Sequence, residues 1–340
     1  NKNRILTQPS VVDNNIMGLI PRPYIDQWYL YYWIQQFDLR NVTNIGPVPS
    51  MRKTEVERVL IPFPSLSEQR RIVEILDQAD ALRKKRTEAD VKAARILPTL
   101  FYRMFGDPVT NPKGWPVKRL GDSQVASINP RFYGEKVSAD IEFSFVSMAD
   151  VDETWGRIVG KQSRIYSDVM RGFTSFQNDD VIFAKITPCM QNGKAAIARN
   201  LINGHGFGST EFHVLRAGHL STPEWLYALV RLDRFRKQAG SSFTGTAGQQ
   251  RVPANFLERY KLGCPPINLQ RKFANAVARL EKWVDQADRN KRRIDYLFNI
   301  LLYRAFTGDL TDKWREAHMK KLLSEMVAQA KVLNLKEIEK

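Results

Sequence analysis

Two stretches of the sequence concentrate side chains that can read the edges of nucleic-acid bases. The first, 184–194, offers Lys185, Thr187, Gln191, Asn192 and Lys194 around Gly193. Lysine can contact guanine or a phosphate, and Gln or Asn can pair bidentately with adenine. The second, 240–251, offers Ser241, Ser242, Thr244, Thr246, Gln249, Gln250 and Arg251 among Gly240, Gly245 and Gly248. Small residues let the backbone approach a groove, while hydroxyls, amides and the guanidinium supply donors and acceptors. Solvated surface loops share this composition, so the residue types alone leave both readings open.

Two basic runs could meet phosphate or an acidic protein surface: Arg83, Lys84, Lys85 and Arg86, and Arg289, Lys291, Arg292 and Arg293. The ordinary alternative for such runs is a solvated face.

Independent catalysis finds no support. There is no Gly-x-x-x-x-Gly-Lys phosphate loop and no dinucleotide glycine fingerprint. No Cys or His clusters have zinc spacing, and the expected metal complement is none. Asn129-Pro130-Arg131-Phe132 bears a faint likeness to an amino-methyltransferase signature, but Arg131 breaks it and it reads as a turn. His213 and Glu211 would share one face of a strand, without the third group and pocket that a catalytic pair needs. Cys189 has no His–Asn constellation to activate it.

The elements that must carry these loops are organised by a repeat. Residues 64–105 return, without a gap, 201 residues later as 265–306. Pro64 falls on Pro265, Gln69 on Gln270, Arg70 on Arg271, Leu100 on Leu301, Tyr102 on Tyr303 and Phe105 on Phe306. In the second copy Phe273, Val277, Leu280, Val284, Ala287, Lys291, Ile294, Phe298 and Leu301 alternate four and three apart, a heptad seam. The first copy in the same register reads Ile72, Leu76, Ala79, Arg83, Arg86, Asp90, Ala93, Leu97, Leu100 and Met104. Each copy is expected to be one helix of roughly 38 residues, about 57 Å long at about 1.5 Å per residue. Each needs a partner for its seam, and the obvious partner is the other copy, antiparallel about a pseudo-dyad. The two basic runs would then meet at one level. Charged residues on the seam imply a local gap open to a partner or to water rather than buried unpaired charge.

The expected fold class is α+β: two globular domains, the first incomplete, separated by two long antiparallel helices that form a coiled coil. The expected divisions are 1–63, 64–106, 107–264, 265–306 and 307–340. In the first block, 26–34 reads as an aromatic core helix, 44–49 as a loop and 59–62 as a short strand. Residues 220–227 resemble the approach to Trp28, so 1–63 looks like the tail of a domain whose complete version is 107–264, and the sequence reads as beginning inside a domain. Strands are expected at 143–146, 180–184, 195–198 and 211–215, in a curved or barrel-like sheet. A helix follows from Pro223 to about Phe235. The tail carries an amphipathic helix, 314–332, whose contacts the sequence leaves open.

Lys and Arg number 52 against 36 Asp and Glu, a net charge of +16, which favours a polyanionic partner. No run approaches a membrane-spanning length and no signal-peptide pattern is present. Two cysteines make no disulfide framework. These features fit a cytoplasmic protein.

The proline-bounded segment running into Glu68-Gln69-Arg70-Arg71-Ile72-Val73, with its copy at 265–270, resembles the start of the spacer helix in specificity subunits of type I restriction-modification enzymes. Gly114-Trp115 resembles the opening of their target-recognition domain. Residues 180–185, 192–194 and 209–215 resemble its inner strands. Leu269 stands where the family pattern has Glu. The resemblance implies two target-recognition domains that each read half of a split double-stranded DNA sequence, with the paired helices as a ruler. It also implies docking of two methyltransferase subunits and, in the full complex, motor-nuclease subunits. S-adenosylmethionine, ATP and Mg are then expected on those partners and no cofactor on this chain. Two other readings are a coiled-coil adaptor that binds protein without reading DNA, and a self-sufficient methyltransferase, which the missing cofactor loop argues against.

Overall fold

The computed structural model describes residues 3–44, 50–132, 137–160, 162–246 and 249–333. They divide into two compact units, Asn1–Ala89 with Ala287–Lys340, and Asp90–Gln286. In chain order the elements are α1 (Gln27–Gln36), β1 (Thr43–Asn44), β2 (Ser50–Met51), α2 (Lys53–Val56), α3 (Leu66–Ala93), α4 (Ile96–Phe105), β3 (Val117–Arg119), β4 (Ala126–Ile128), β5 (Glu142–Val146), β6 (Gln162–Ile165), α5 (Tyr166–Val169), β7 (Thr174–Gln177), β8 (Val181–Ala184), β9 (Ala195–Ile197), β10 (His205–Gly208), β11 (Phe212–Ala217), α6 (Pro223–Arg231), α7 (Asp233–Gly240), α8 (Ala254–Arg259), β12 (Lys261–Gly263), α9 (Ile267–Thr307) and α10 (Asp312–Val332). The fold is α+β. Helices α3 and α9 each contribute to both units.

In the first unit Asp26 caps α1, its carboxylate accepting from Trp28 N at 2.8 Å and Tyr29 N at 3.2 Å. That satisfies two donors left over at the helix start. Tyr29 and Tyr32 of α1, Ile72 and Leu76 of α3, and Phe298, Leu302 and Ala305 of α9 form one buried cluster. Each large apolar side chain so buried contributes about 1.5–3 kcal/mol. The α3 and α9 segments run antiparallel here: Leu76 packs near Phe298 and Leu302, and farther along α3 Arg83 meets Asp295. The tail helix α10 lies on the first turn of α3. Leu66 N donates to Gln329 Oε1 at 3.0 Å, and Ser67 donates to Glu325 through its N at 3.1 Å and its Oγ at 2.6 Å. The N–H groups that α3 cannot satisfy itself thus find acceptors on another helix, and an acidic side chain faces the positive end of the helix dipole.

In the second unit β4-β11-β8-β9 form an antiparallel sheet, β6-β5-β10-β7 a mixed one, and β12-β3 a ribbon. The pair β5–β10 is parallel. Strands β8 and β11 are covered on both faces, hence their nearly unbroken apolar sequence. Val181, Phe183 and Leu215 face a core shared with Trp225, Leu226, Phe235, Phe273 and Val277. Ile182, Phe212 and Val214 face the opposite way, against Val146 and Phe176. Helix α4 joins the first core through Phe101 and Phe105, whose rings lie 6.0 and 5.1 Å from that of Phe273.

The structure corrects several expectations. The first copy of the repeat is not one helix: α3 ends at Ala93, Ala94-Arg95 form a turn and α4 starts at Ile96. Pro98 explains the break, because its ring opposes the carbonyl four residues back and it has no N–H to continue the ladder. The second copy carries Asn299 there, and α9 is continuous over 41 residues. Residues 59–62 form no strand, whereas their copy β12 does, because Val117–Arg119 supplies its ladder. The helix expected over 223–235 is two, α6 and α7, separated by extended Leu232 at φ −61° and ψ 136°. Among the described residues no ladder closes the strands into one barrel. The loop expected at 44–49 lies, apart from Asn44, outside the described residues, as does 334–340 of the tail.

Candidate nucleic-acid interface

The two loops are knitted together in the second unit, at the end of the sheet where β8 runs out and β11 begins. Thr187 N donates to Gln250 O at 2.9 Å, Gln250 N to Thr187 Oγ1 at 3.2 Å, and Val252 N to Lys185 O at 2.9 Å. Lys185 N donates in turn to Glu211 O at 2.9 Å, tying the first loop to β11. The Thr187–Pro188 peptide is cis. Gly193, at φ +79°, turns the first loop back into β9. Gly245, at φ +108°, bends the second where an added Cβ would stand 3.1 Å from Gln249 O.

The candidate residues divide by what their side chains already do. Lys194 Nζ donates to Met148 O at 3.1 Å, and Ser241 and Ser242 hydroxyls donate to Lys237 O and Ala239 O. Asn192 Nδ2 donates to Glu153 at 3.2 Å. Arg251 is the most committed: Nε and Nη2 donate to the two Glu211 oxygens at 2.9 and 2.8 Å, and Nη1 to Gln249 O at 2.9 Å. Thr244 exchanges two backbone hydrogen bonds with Arg251, at 3.0 and 2.9 Å, an antiparallel bridge that brings 244–246 and 249–251 together. The side chains of Lys185, Gln191, Thr246, Gln249 and Gln250 make no hydrogen bond to the described residues, and those of Gln191, Thr246 and Gln249 are exposed.

Electrostatics follow this geometry. The hydrogen bonds from Arg251 hold the Glu211 carboxyl below its ordinary range, against a smaller opposing effect of burial. The same pair keeps Arg251 more firmly protonated. His213, two residues along β11, is buried, and burial pushes its imidazole down to about 4. Its Nε2 lies 2.8 Å from Val252 O and its Nδ1 3.0 Å from Asn129 Nδ2, the partners of a neutral ring. Asn129 itself sits at φ +48° and accepts from Val214 N, so the chain bends there against β11.

In the first unit both basic runs reach one cleft of about 450 Å³ on the α3 and α9 segments, lined by Arg83, Lys84, Arg86 and Lys291 with Asp80, Glu88 and Asp295. The charge there is largely matched. Arg83 lies 2.9 Å from Asp295, 3.4 Å from Asp80 and 4.3 Å above the Phe298 ring. Lys84 pairs with Asp80 and Arg292 with Asp288, each at 2.9 Å. Arg83 and Arg86, at seam positions, are half-buried, whereas Lys85, Arg289, Lys291, Arg292 and Arg293 are exposed.

Sequence reasoning missed Glu211 as a partner of the second loop, and Met148 and Glu153 as partners of the first. Nothing in local spacing marks them, since they lie 40, 46 and 39 residues from Arg251, Lys194 and Asn192. No helix among the described residues is long and apolar enough to cross a membrane. No group of three or more His, Cys, Asp or Glu among them could hold a metal ion.

The second unit is thus a sheet domain that presents two joined polar loops. Residues 3–93 match the family model of the type I restriction modification DNA specificity domain. The chain is 32% identical over 217 residues to the type I restriction enzyme EcoEI specificity subunit of Escherichia coli, covering 61% of this chain and 36% of that protein. It is 24% identical over 326 residues to the StySPI specificity subunit of Salmonella potsdam, covering 88% of this chain and 68% of that one. A chain solved in work on complex assembly and conformational transition of the type I R-M system shares the fold, with a TM-score of 0.52 at 17% identity, covering 83% of this chain and 71% of that one. Over these stretches the chain is similar to specificity subunits of type I restriction-modification systems. It spans 36% of the length of the EcoEI relative.

Proposed function

We propose that this chain reads DNA sequence for a type I restriction-modification complex. One observation carries the reading: two loops rich in base-reading side chains are fastened side by side and turn Gln191, Thr246 and Gln249 outward. The net charge of +16 supports a DNA partner. Lysine and arginine contacts to phosphate would give salt-sensitive affinity, and the outward amides and hydroxyls would give sequence. The 201-residue repeat supports a target in two halves, each read by one domain, with the helices setting the gap. In this account the chain is not catalytic and acts in the cytoplasm. Two methyltransferase subunits dock on it and bring S-adenosylmethionine, and motor-nuclease subunits bring ATP and Mg.

The test is competition binding of the full chain, assembled with its methyltransferase partners, on duplexes that differ only in sequence. Gln249→Ala or Gln191→Ala should cost about 1–3 kcal/mol on the preferred duplex and little on random DNA. Equal affinity of the unaltered complex for every duplex would favour a protein-binding adaptor instead.

A further inference from the structure

Arg251 looks in the sequence like a DNA contact, yet all three nitrogens of its half-exposed guanidinium already donate within the protein. Two of its edges are on Glu211 and the third is on Gln249 O, while its backbone bridges to Thr244. Glu211 is fixed in its turn. It opens into β11, whose next residue Phe212 pairs with Ala184, and its carbonyl accepts from Lys185 N at the root of the first loop. The guanidinium–carboxylate fork sets angle as well as distance, which a single hydrogen bond does not.

We propose that Glu211 and Arg251 form a strut that sets the angle of the bridged segments 244–246 and 249–251, so that Glu211 is a positioning and specificity-determining residue that never touches DNA. The strut stands where the readers need it. Thr246, Gln249 and Gln250 lie within five residues of Arg251, and Glu211–Arg251 is the ion pair that holds this segment among the described residues. Its second tether runs to the first loop through two backbone bonds, Thr187 N to Gln250 O and Val252 N to Lys185 O, and one bond to the Thr187 hydroxyl from Gln250 N, with no charged fork among them. The geometry also assigns a direction to the electrostatic effect. While Glu211 holds Arg251, that guanidinium adds little to the pull on phosphate; released, it becomes a mobile cation beside the readers.

This inference rests on the DNA-reading proposal and has its own signature. In Glu211→Gln the carboxylate is lost with its shape preserved. The full chain, assembled with its methyltransferase partners, should then bind its preferred half-site at least about tenfold more weakly. Random duplex should be held equally well or more tightly, because a cation has been freed. Arg251→Lys, which keeps the charge and loses the fork, should show the same loss on the preferred site. The exchanged pair Glu211→Arg with Arg251→Glu should recover part of the discrimination. Discrimination that survives both single changes overturns the strut and leaves the DNA-reading proposal standing. A proportional loss on preferred and random DNA in Arg251→Lys also overturns it, because that result makes Arg251 a phosphate contact. An unaltered complex that discriminates among no duplexes overturns the DNA-reading proposal and the strut together.

Discussion

Gln69 and Gln270, 201 residues apart, make the same three hydrogen bonds, each inside its own unit. Gln69 Oε1 accepts from Asp26 N at 2.8 Å, and its Nε2 donates to Tyr24 O and Pro64 O, both at 2.9 Å. Gln270 Oε1 accepts from Thr222 N at 3.0 Å, and its Nε2 donates to Leu220 O at 2.9 Å and Pro265 O at 2.8 Å. Both side chains are wholly buried. Each amide therefore pins the start of α3 or α9 to the segment leading into the capped helix of its unit, α1 or α6.

An amide saturated in this way is costly to lose. Gln270→Ala strips the amide partner from Thr222 N, Pro265 O and Leu220 O, the last keeping only a long contact from Cys264 Sγ, and should destabilise the second unit by about 3 kcal/mol. Gln270→Glu should cost more, because a carboxylate cannot donate to two carbonyls and its charge would be buried. Chemical denaturation at neutral pH measures both. Near-native stability of Gln270→Glu would show that the amide is not the pin.

His213 predicts an acid-sensitive second unit. The unfolded imidazole takes a proton near pH 6.5, whereas the buried one holds off to about 4. Between those values the unfolded state binds more protons, so stability rises with pH and is lost as pH falls from about 6.5 towards 4. The full loss is about 3 kcal/mol, of which about 2 should be gone by pH 5. The Glu211–Arg251 pair opposes confusion of the two effects: the folded Glu211 carboxyl is lowered, so its contribution survives until pH drops below the ordinary carboxylate range. Denaturation midpoints at pH 7.5 and pH 5, for the unaltered chain and for His213→Gln, isolate the histidine. The variant should show a flatter dependence, and an identical slope in both would assign the effect elsewhere.

The tail helix α10 predicts a local effect at the start of α3. Gln329→Ala with Glu325→Ala removes acceptors from Leu66 N, Ser67 N and Ser67 Oγ. The first turn of α3 should lose about 1–2 kcal/mol of protection, read by amide hydrogen exchange at 66–67. The far turns of α3 around Leu76 should keep theirs. Unchanged exchange at 66–67 would mean that α10 does not cap this helix.

The helices were legible because the heptad seam is physical. Even its polar middle obeys the register: Arg83 and Arg86 are half-buried and Asp90 is buried, while Leu82, an apolar residue off the seam, is exposed. Pro98 was a visible break signal that the strength of the repeat overrode. Residues 59–62 have the composition of their copy but no ladder partner, and a strand is a property of the pair. The site was half legible. Loop composition pointed to 184–194 and 240–251, but which side chains are already spent depends on Glu211 and Met148, far away in sequence and brought in by β11 and the turn after β5.

The central claim, that the joined loops read DNA, is tested most directly by selection from a pool of randomised duplexes with the full chain assembled with its methyltransferase partners. The account predicts that sequencing of the bound fraction yields a defined motif. It also predicts that the positions of that motif read by the second unit lose their preference in a Gln191→Ala, Thr246→Ala, Gln249→Ala triple variant. A bound fraction with no motif, or a motif untouched by the triple variant, would contradict it.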